Sequence, residues 1–408
     1  MSGADHWPRR PGPLLDWLIG DGRGITATAD LLAALVERMV ESGIPLARMT
    51  LHVRTLHPLI AGERFLWRRG VDEVEVGFAE HGILASDTYG QSPIRLIYED
   101  EVAAVHQRLD VEGALPFPIY EDLRAEGLTD YVALPCHFND RRRAALTFAT
   151  DRAGGFSSED LSRIDDLVPA LAPILEAQST RRIAVNILNT YVGPRAGQQV
   201  LDGQIRRGDG ETINAAIWFC DLRGFTGLSA RYDRDTLIEL LNTYFQAMAE
   251  PVARYGGETM KFIGDAMLAM FPMSQPNACV AALKASLEAR EAMQAINAER
   301  VADGQDPLGF GIALHVGDVM YGNIGAPDRL DFTVIGPAMN IAERVQELCK
   351  SLGYEILATS TFAALAPLSY RRLGRYPLRG LAEPVTIYVP NELGERIARA
   401  VEPVGAEA

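Results

Sequence analysis

The chain has no run approaching the roughly 18 uninterrupted apolar residues that a membrane-spanning helix needs. Its opening, Met1 to Arg10, also lacks the early positive charge and following apolar core of a signal peptide. The expectation is a soluble, cytoplasmic protein without a membrane span, whose regulatory input arrives through soluble parts. Positive charge is scarce: 39 Lys and Arg stand against 54 Asp and Glu, a formal net charge of −15. That balance argues against nucleic-acid binding through a basic face, and its plainest meaning is solubility. Cysteine is scarcer still. Cys136, Cys220, Cys279 and Cys349 are scattered without metal-ligand spacing and read as reduced thiols packed in the core.

What is there suits two or three domains, because 408 residues exceed the size of one domain of about 100–200 residues. The patterns divide the chain into an N-terminal segment (1–27), a first domain (28–178), a helical connector (179–210), a second domain (211–391) and a C-terminal tail (392–408) without functional signal. In the first domain Leu31, Leu32, Leu35, Val36, Met39 and Val40 recur at helical spacing, while Met49 to Arg54 alternate as a strand does. Residues 131–135 and 144–150 read as strands around the polar turn Asn139-Asp140-Arg141-Arg142, and Ser157 caps a helix with Asp160 in its first turn. This order resembles a GAF-type sensory domain, which implies an α/β fold and an unidentified small-molecule ligand. Cys136-His137 is similar to the bilin attachment pair of some such domains, but on a hairpin strand it reads as two packed residues, and no chromophore is predicted. The run Arg141 to Arg143 reads as a solvated turn tip. In the connector, Ile183, Ile187, Leu188, Tyr191 and Val192 precede Gly193-Pro194 and suit a helix that pairs with a second copy.

Chemistry concentrates in the second domain. The run Ala215-Ala216-Ile217-Trp218-Phe219-Cys220 ends at Asp221, and Met260-Lys261-Phe262-Ile263-Gly264 ends at Asp265. Carboxylates at strand ends suit hard divalent cations, which prefer oxygen ligands and share substrate phosphates. After Asp221, the stretch Gly224-Phe225-Thr226 opens a helix whose first N–H groups can cradle phosphate oxygens. Farther on, Asn340 and Arg344 stand four apart in a helical stretch and so share a face.

These segments, with Thr333-Val334-Ile335-Gly336-Pro337-Ala338-Met339-Asn340-Ile341-Ala342-Glu343-Arg344, resemble the class III nucleotidyl cyclases in order and spacing. The resemblance implies a central, mostly antiparallel sheet flanked by helices. It implies two divalent metal ions, Mg²⁺ or Mn²⁺, on Asp221, Asp265 and the Leu222 carbonyl. Asn340 would orient the ribose and Arg344 would neutralise charge on the transferring phosphate. Lys261 and Thr333 occupy the base-selecting positions, where this pairing implies ATP as substrate; it is similar to a bacterial subgroup that includes bicarbonate-responsive members. Arg379, in Pro377-Leu378-Arg379-Gly380, is a further contact for the triphosphate, read as lying at a strand end. Family sites lie between two chains, so one catalytic segment per chain implies a homodimer with two shared sites. The alternatives are a catalytically silent signalling dimer of the same fold and a guanylate cyclase. The segment Tyr255-Gly256-Gly257-Glu258-Thr259 superficially resembles the diguanylate cyclase hairpin, but Thr259 and Met260 replace its second acid and its phenylalanine.

Overall fold

The structure, a computed structural model, describes residues 13–99, 102–366 and 369–391. The tail at 392–408 lies outside them. The chain divides between Thr190 and Tyr191 into two compact units.

The first unit contains α1 (Pro13–Ile19), α2 (Thr28–Glu41), β1 (Arg48–Arg54), β2 (Ile60–Arg68), β3 (Glu75–Glu80), α3 (Asp87–Gly90), α4 (Pro93–Tyr98), β4 (Val105–Arg108), α5 (Pro118–Ala125), β5 (Asp130–His137), β6 (Arg143–Thr150) and most of α6 (Ser158–Val192). Its sheet runs β3-β2-β1-β6-β5-β4, with each neighbouring pair antiparallel. The helical spacing in α2 has a direct physical outcome: Leu31, Leu32, Leu35, Val36 and Met39 are all buried in one core with Met49 and Leu51 of β1. The other face of β1 carries Arg48, Thr50, His52 and Arg54, which line a cavity.

Three findings differ from the sequence expectation. Leu18 of α1 is fully buried in this core, so the segment before Thr28 is partly built into the first unit. The expected connector boundary at 178–179 falls inside α6, a single helix of 35 residues. A reciprocal box starts that helix: the Asp160 N–H donates to Ser157 Oγ at 3.2 Å, and the Ser157 N–H donates to the Asp160 carboxylate at 2.8 Å. Arg142 is not a solvated tip, because its guanidinium pairs with Asp140 at 2.6 Å and donates to Ser179 and Thr180 of α6 at 3.2 and 3.1 Å.

The second unit contains α7 (Pro194–Leu201), β7 (Gly210–Leu222), α8 (Phe225–Arg231), α9 (Arg234–Arg254), β8 (Glu258–Ile263), β9 (Ala266–Pro272), α10 (Ala278–Ala302), β10 (Phe310–Ala326), β11 (Arg329–Ile335), α11 (Pro337–Leu352), β12 (Ile356–Thr359), α12 (Ser360–Ala363), β13 (Tyr370–Tyr376) and β14 (Val385–Pro390). The sheet runs β13-β14-β12-β10-β7-β9-β8, with β11 added to β10. Its described pairings are antiparallel except β10 with β12. The expected mostly antiparallel sheet flanked by helices is what forms. Within β7 the run Ala215 to Cys220 is apolar without interruption because both of its faces are covered, while Glu211, Thr212 and Asn214 precede it. Ala216, Trp218 and Cys220 pack with α9 and α10, while Ala215, Ile217 and Phe219 pack with α7, β11 and α11. The one polar atom of Trp218 is satisfied: its ring N–H donates to Ser286 Oγ at 2.7 Å. All four cysteines are buried and free. Among the described residues, no helix is long and apolar enough to cross a membrane.

α11 lies close along β10. A Cβ on Gly317 would stand 2.7 Å from the Cβ of Ala338, in the first turn of α11. Gly317→Ala is therefore expected to push α11 off the sheet and cost about 1–3 kcal/mol, the usual range for overpacking. Urea unfolding checks this, and an unchanged midpoint would show that the helix–strand contact is looser than described.

Candidate active site

The register of three strands builds the acidic end of the site. Cys220 on β7 pairs with Met267 on β9, and Asp221 pairs with Gly311 on β10. Asp265, in the turn just before β9, is thereby carried alongside Asp221. β7 continues through Asp221 to Leu222, so the first carboxylate lies within the strand and not past its end. Burial pushes the Asp221 carboxyl up to about 7, and a hydrogen bond with Asp265 and that residue's negative charge push it in the same direction. A hard cation beside Asp221 would offset the burial and the neighbouring charge that disfavour its ionised form. Two carboxylates and the Leu222 carbonyl fit such an ion as part of its shell. Among the described residues no group of three or more His, Cys, Asp and Glu could hold a metal, so water and phosphate oxygens would supply the remaining ligands.

The next residues turn the chain into α8. Gly224 adopts φ 75°, a left-handed conformation that glycine takes without strain. The N–H groups of Gly227 and Leu228 donate back to its carbonyl at 2.9 and 3.2 Å. Phe225 and Thr226 begin the helix, where N–H groups have no partner within it. Phe225 packs on the core, whereas Thr226 is exposed. Arg223 fixes this loop from behind. Its Nη2 donates to the carbonyls of Cys349 and Tyr354 at 2.9 and 2.8 Å, and its backbone N–H donates to Gly309 at 2.8 Å.

Lys261 and Thr333 meet through a residue the sequence did not single out. Lys261, on β8, forms an ion pair with Asp331 of β11. Asp331 lies two residues before Thr333, so both point to one side of the strand while Phe332 and Val334 are buried on the other. Thr333 is half-buried beside Gly322 of β10. On α11, Ala338, Ala342 and Val345 are buried, which leaves Asn340 exposed and Arg344 half-buried. Arg344 pairs with Glu347 at 3.1 Å. Arg379 is not at a strand end: it is exposed in the connection between β13 and β14, at the sheet edge opposite β8. That connection runs from Pro377 to Pro384. The fold thus joins Asp221 with Asp265 and brings Lys261 beside the strand of Thr333, but it does not bring Arg379 to either pair.

Residues 210–391 match the model of the adenylate and guanylate cyclase catalytic domain. This half of the chain carries a nucleotidyl cyclase catalytic domain. An adenylate cyclase of Anabaena cylindrica is 29% identical over 244 residues, covering 55% of this chain and 48% of that protein. Adenylate cyclase 1 of Rhizobium meliloti is 28% identical over 174 residues, covering 42% of this chain and 26% of that protein. The chain thus spans about half or less of these curated relatives. Among solved structures, the adenylyl cyclase CyaB from P. aeruginosa is 29% identical with a TM-score of 0.40, over 44% of this chain and 94% of that one.

In the cyclase domain the carboxylate pair makes a pH signature. Folded, Asp221 holds its proton up to about pH 7, whereas its ordinary value is 3.8. Between those values the folded state binds more protons than the unfolded state, so stability falls as pH rises through the window and the loss is complete above it. In EDTA, Asp221→Asn is expected to resist urea better than the parent at pH 8, with the gap closing toward pH 4. A pH-independent gap, or a less stable variant at pH 8, would contradict the electrostatic account.

Proposed function

We propose that the protein is an adenylate cyclase, converting ATP to 3′,5′-cyclic AMP and pyrophosphate in a homodimer whose GAF-like N-terminal domain modulates it. The observation that carries this reading is the meeting of Asp221 and Asp265 inside the segment that matches the cyclase family. The family description covers both purines, so the choice of base rests on Lys261 and Thr333. Lys261 donates to a ring nitrogen of adenine, and Asp331 holds its ammonium in place. The Thr333 hydroxyl, without a hydrogen-bond partner among the described residues, accepts from the exocyclic amine. Guanine presents a ring N–H to the Lys261 ammonium, which can only donate, so the wrong base leaves that pairing mismatched.

The ribose 3′-hydroxyl attacks the α-phosphorus in line, and pyrophosphate leaves. Asn340 orients the ribose through its amide. Arg344 stabilises negative charge on the phosphate in flight, exchanging its neighbour Glu347 for the nucleotide. The first-turn N–H groups of Phe225 and Thr226 receive triphosphate oxygens. Asp221, Asp265 and the Leu222 carbonyl hold two divalent ions, which when bound supply Lewis acidity at the 3′-hydroxyl and the phosphates.

Two features support a site shared between copies. Among the described residues, no hydrogen bond or ion pair ties Asp221 or Asp265 to Lys261, Thr333, Asn340 or Arg344. Large apolar side chains stay exposed beside the site: Phe262 and Ile263 before Asp265, and Ile335 after Thr333.

Mass spectrometry of the products after incubation with ATP or GTP and Mg²⁺ or Mn²⁺ tests the chemistry. Cyclic AMP from ATP is expected, and Asp265→Asn should lower the rate by roughly 100-fold or more, the scale of losing one electrostatic group from an organised site. Cyclic GMP as the main product would overturn the base assignment, and no product from verified dimers would favour a silent regulator. Mixing Lys261→Ala with Asp265→Ala subunits tests the sharing. Each alone should be nearly inactive, and the heterodimer should regain one intact site; verified heterodimers that stay inactive would exclude this arrangement.

A further inference from the structure

The first unit holds a cavity of about 640 Å³ between the polar face of its sheet and the segment that runs through α3 and α4. That volume lies within the range of small-molecule sites, roughly 300–1,000 Å³. Its floor is unusual for the middle of a sheet. Arg48, Thr50, His52 and Arg54 project from β1, and Arg64 stands directly across from His52 on β2.

The charges on this floor are one-sided. Arg48, Arg54 and Arg64 line the cavity, while the carboxylates nearest to them, Glu126 at 3.0 Å, Glu99 at 3.8 Å and Glu75 at 2.6 Å, do not. Of the acidic residues that do line it, Glu63 is taken by Arg182, and Asp87 and Asp122 are exposed. Burial and the neighbouring guanidiniums lower His52 to about 4, which leaves it a neutral hydrogen-bonding group at physiological pH. The Nε of Arg64 is shielded from water and has no hydrogen-bond partner, although the side chain as a whole is partly exposed. A shielded donor without an acceptor is a standing cost that a bound anion would remove.

A second, independent observation concerns the opposite wall. Ile83 and Leu84, in the segment after β3, line the cavity yet remain 38% and 44% exposed. Apolar surface left beside a cavity is favourably covered by an apolar body.

We propose that this cavity binds a small organic anion, with its carboxylate or phosphate on Arg64 and its apolar body against Ile83 and Leu84. With Nη2 on Glu75 at 2.6 Å, the donor left unmet on Arg64 is Nε, which can give its N–H to an oxygen of either headgroup. A cationic ligand would face three guanidiniums, and a purely apolar one would leave the Arg64 donor unmet. The site stands apart from the catalytic reading, because every residue in it belongs to the first unit.

Isothermal titration of the full chain with 1-naphthoate, 1-naphthyl phosphate and 1-naphthamide tests the proposal, since the three share one body and differ in headgroup. At least one anion is expected to bind once per chain, at least tenfold more tightly than the amide. The stronger of the two anions identifies the headgroup. Arg64→Gln is expected to erase the preference for the anion, Arg64→Lys to keep part of it, and Leu84→Ser to weaken all three probes. The proposal is overturned if neither anion binds, if the amide binds as tightly, or if the preference survives Arg64→Gln in a folded variant. Unchanged affinities in Leu84→Ser would remove the apolar half. Comparison of the probes on the unaltered chain decides the matter even if a variant fails to fold.

Discussion

A strand buried on both faces has almost no freedom in its register, and β7 is such a strand. Phe219 and Ile217 fill one side while Cys220 and Trp218 fill the other. Shifting it by one residue would exchange these sets and turn Asp221 toward the α9–α10 side, where an unpaired charge would be far costlier than at the strand's end. The packing of apolar residues thus fixes the position of a charged one. The same register reaches outward: Phe219 opposes Leu268, and Leu268 opposes Lys261. Asp221, two residues beyond Phe219, therefore shares a sheet face with Lys261, although they serve different parts of the nucleotide in the proposed reaction.

Charge is distributed unevenly around this frame. Lys261 has Asp331, Arg344 has Glu347, and Arg223 has two main-chain carbonyls. Among the described residues Asp221 and Asp265 have no cationic partner, and one backbone N–H supports Asp221. Like charges placed together raise the energy of the folded state, so the arrangement cannot be explained by stability. It is explained if the missing charge arrives with the ligand, which is how perturbed carboxylates come to mark functional sites. Arg223 extends this link: by holding the carbonyl of Cys349, it ties the loop after Asp221 to the end of α11, the helix that carries Asn340 and Arg344.

The parts of this site legible in the sequence are those set by local pattern. An apolar run ending in Asp221, a short hairpin ending in Gly264-Asp265, and a helical stretch with Asn340 and Arg344 on one side need only periodicity to be read. Asp331 needed more. Its relation to Thr333 is local, a step of two along a strand, but its partner Lys261 is 70 residues away, and only the folding of β11 toward β8 brings them together. The Arg223 clamp was hidden for the same reason, since its acceptors are carbonyls, to which every residue contributes alike. Arg379 was misplaced because a turn and a strand end share residue types, and the break in α6 was expected where its apolar burial stops, although helical hydrogen bonding continues to Val192.

The two sheets illustrate opposite uses of the alternation along a strand. β7 keeps both faces apolar through its centre and confines charge to its end, so its site adds little cost to the core. β1 gives only one face to the core, through Met49 and Leu51, and spends the other on Arg48, Thr50, His52 and Arg54. Apolar residues in those positions could fill the cavity and bury more surface, and proteins are rarely driven to their stability optimum where a site must stay open. A polar floor in mid-sheet, with a hydroxyl pair from Thr50 and Thr147 bonded to each other beneath it, is therefore better understood as a constraint from binding than as a by-product of folding. Such a floor is held rigid by the sheet, whereas Ile83 and Leu84 lie in the segment after the edge strand. A ligand that covers these residues would order the edge more than the centre, so the first unit can respond to binding without disturbing the core face on which its own stability depends.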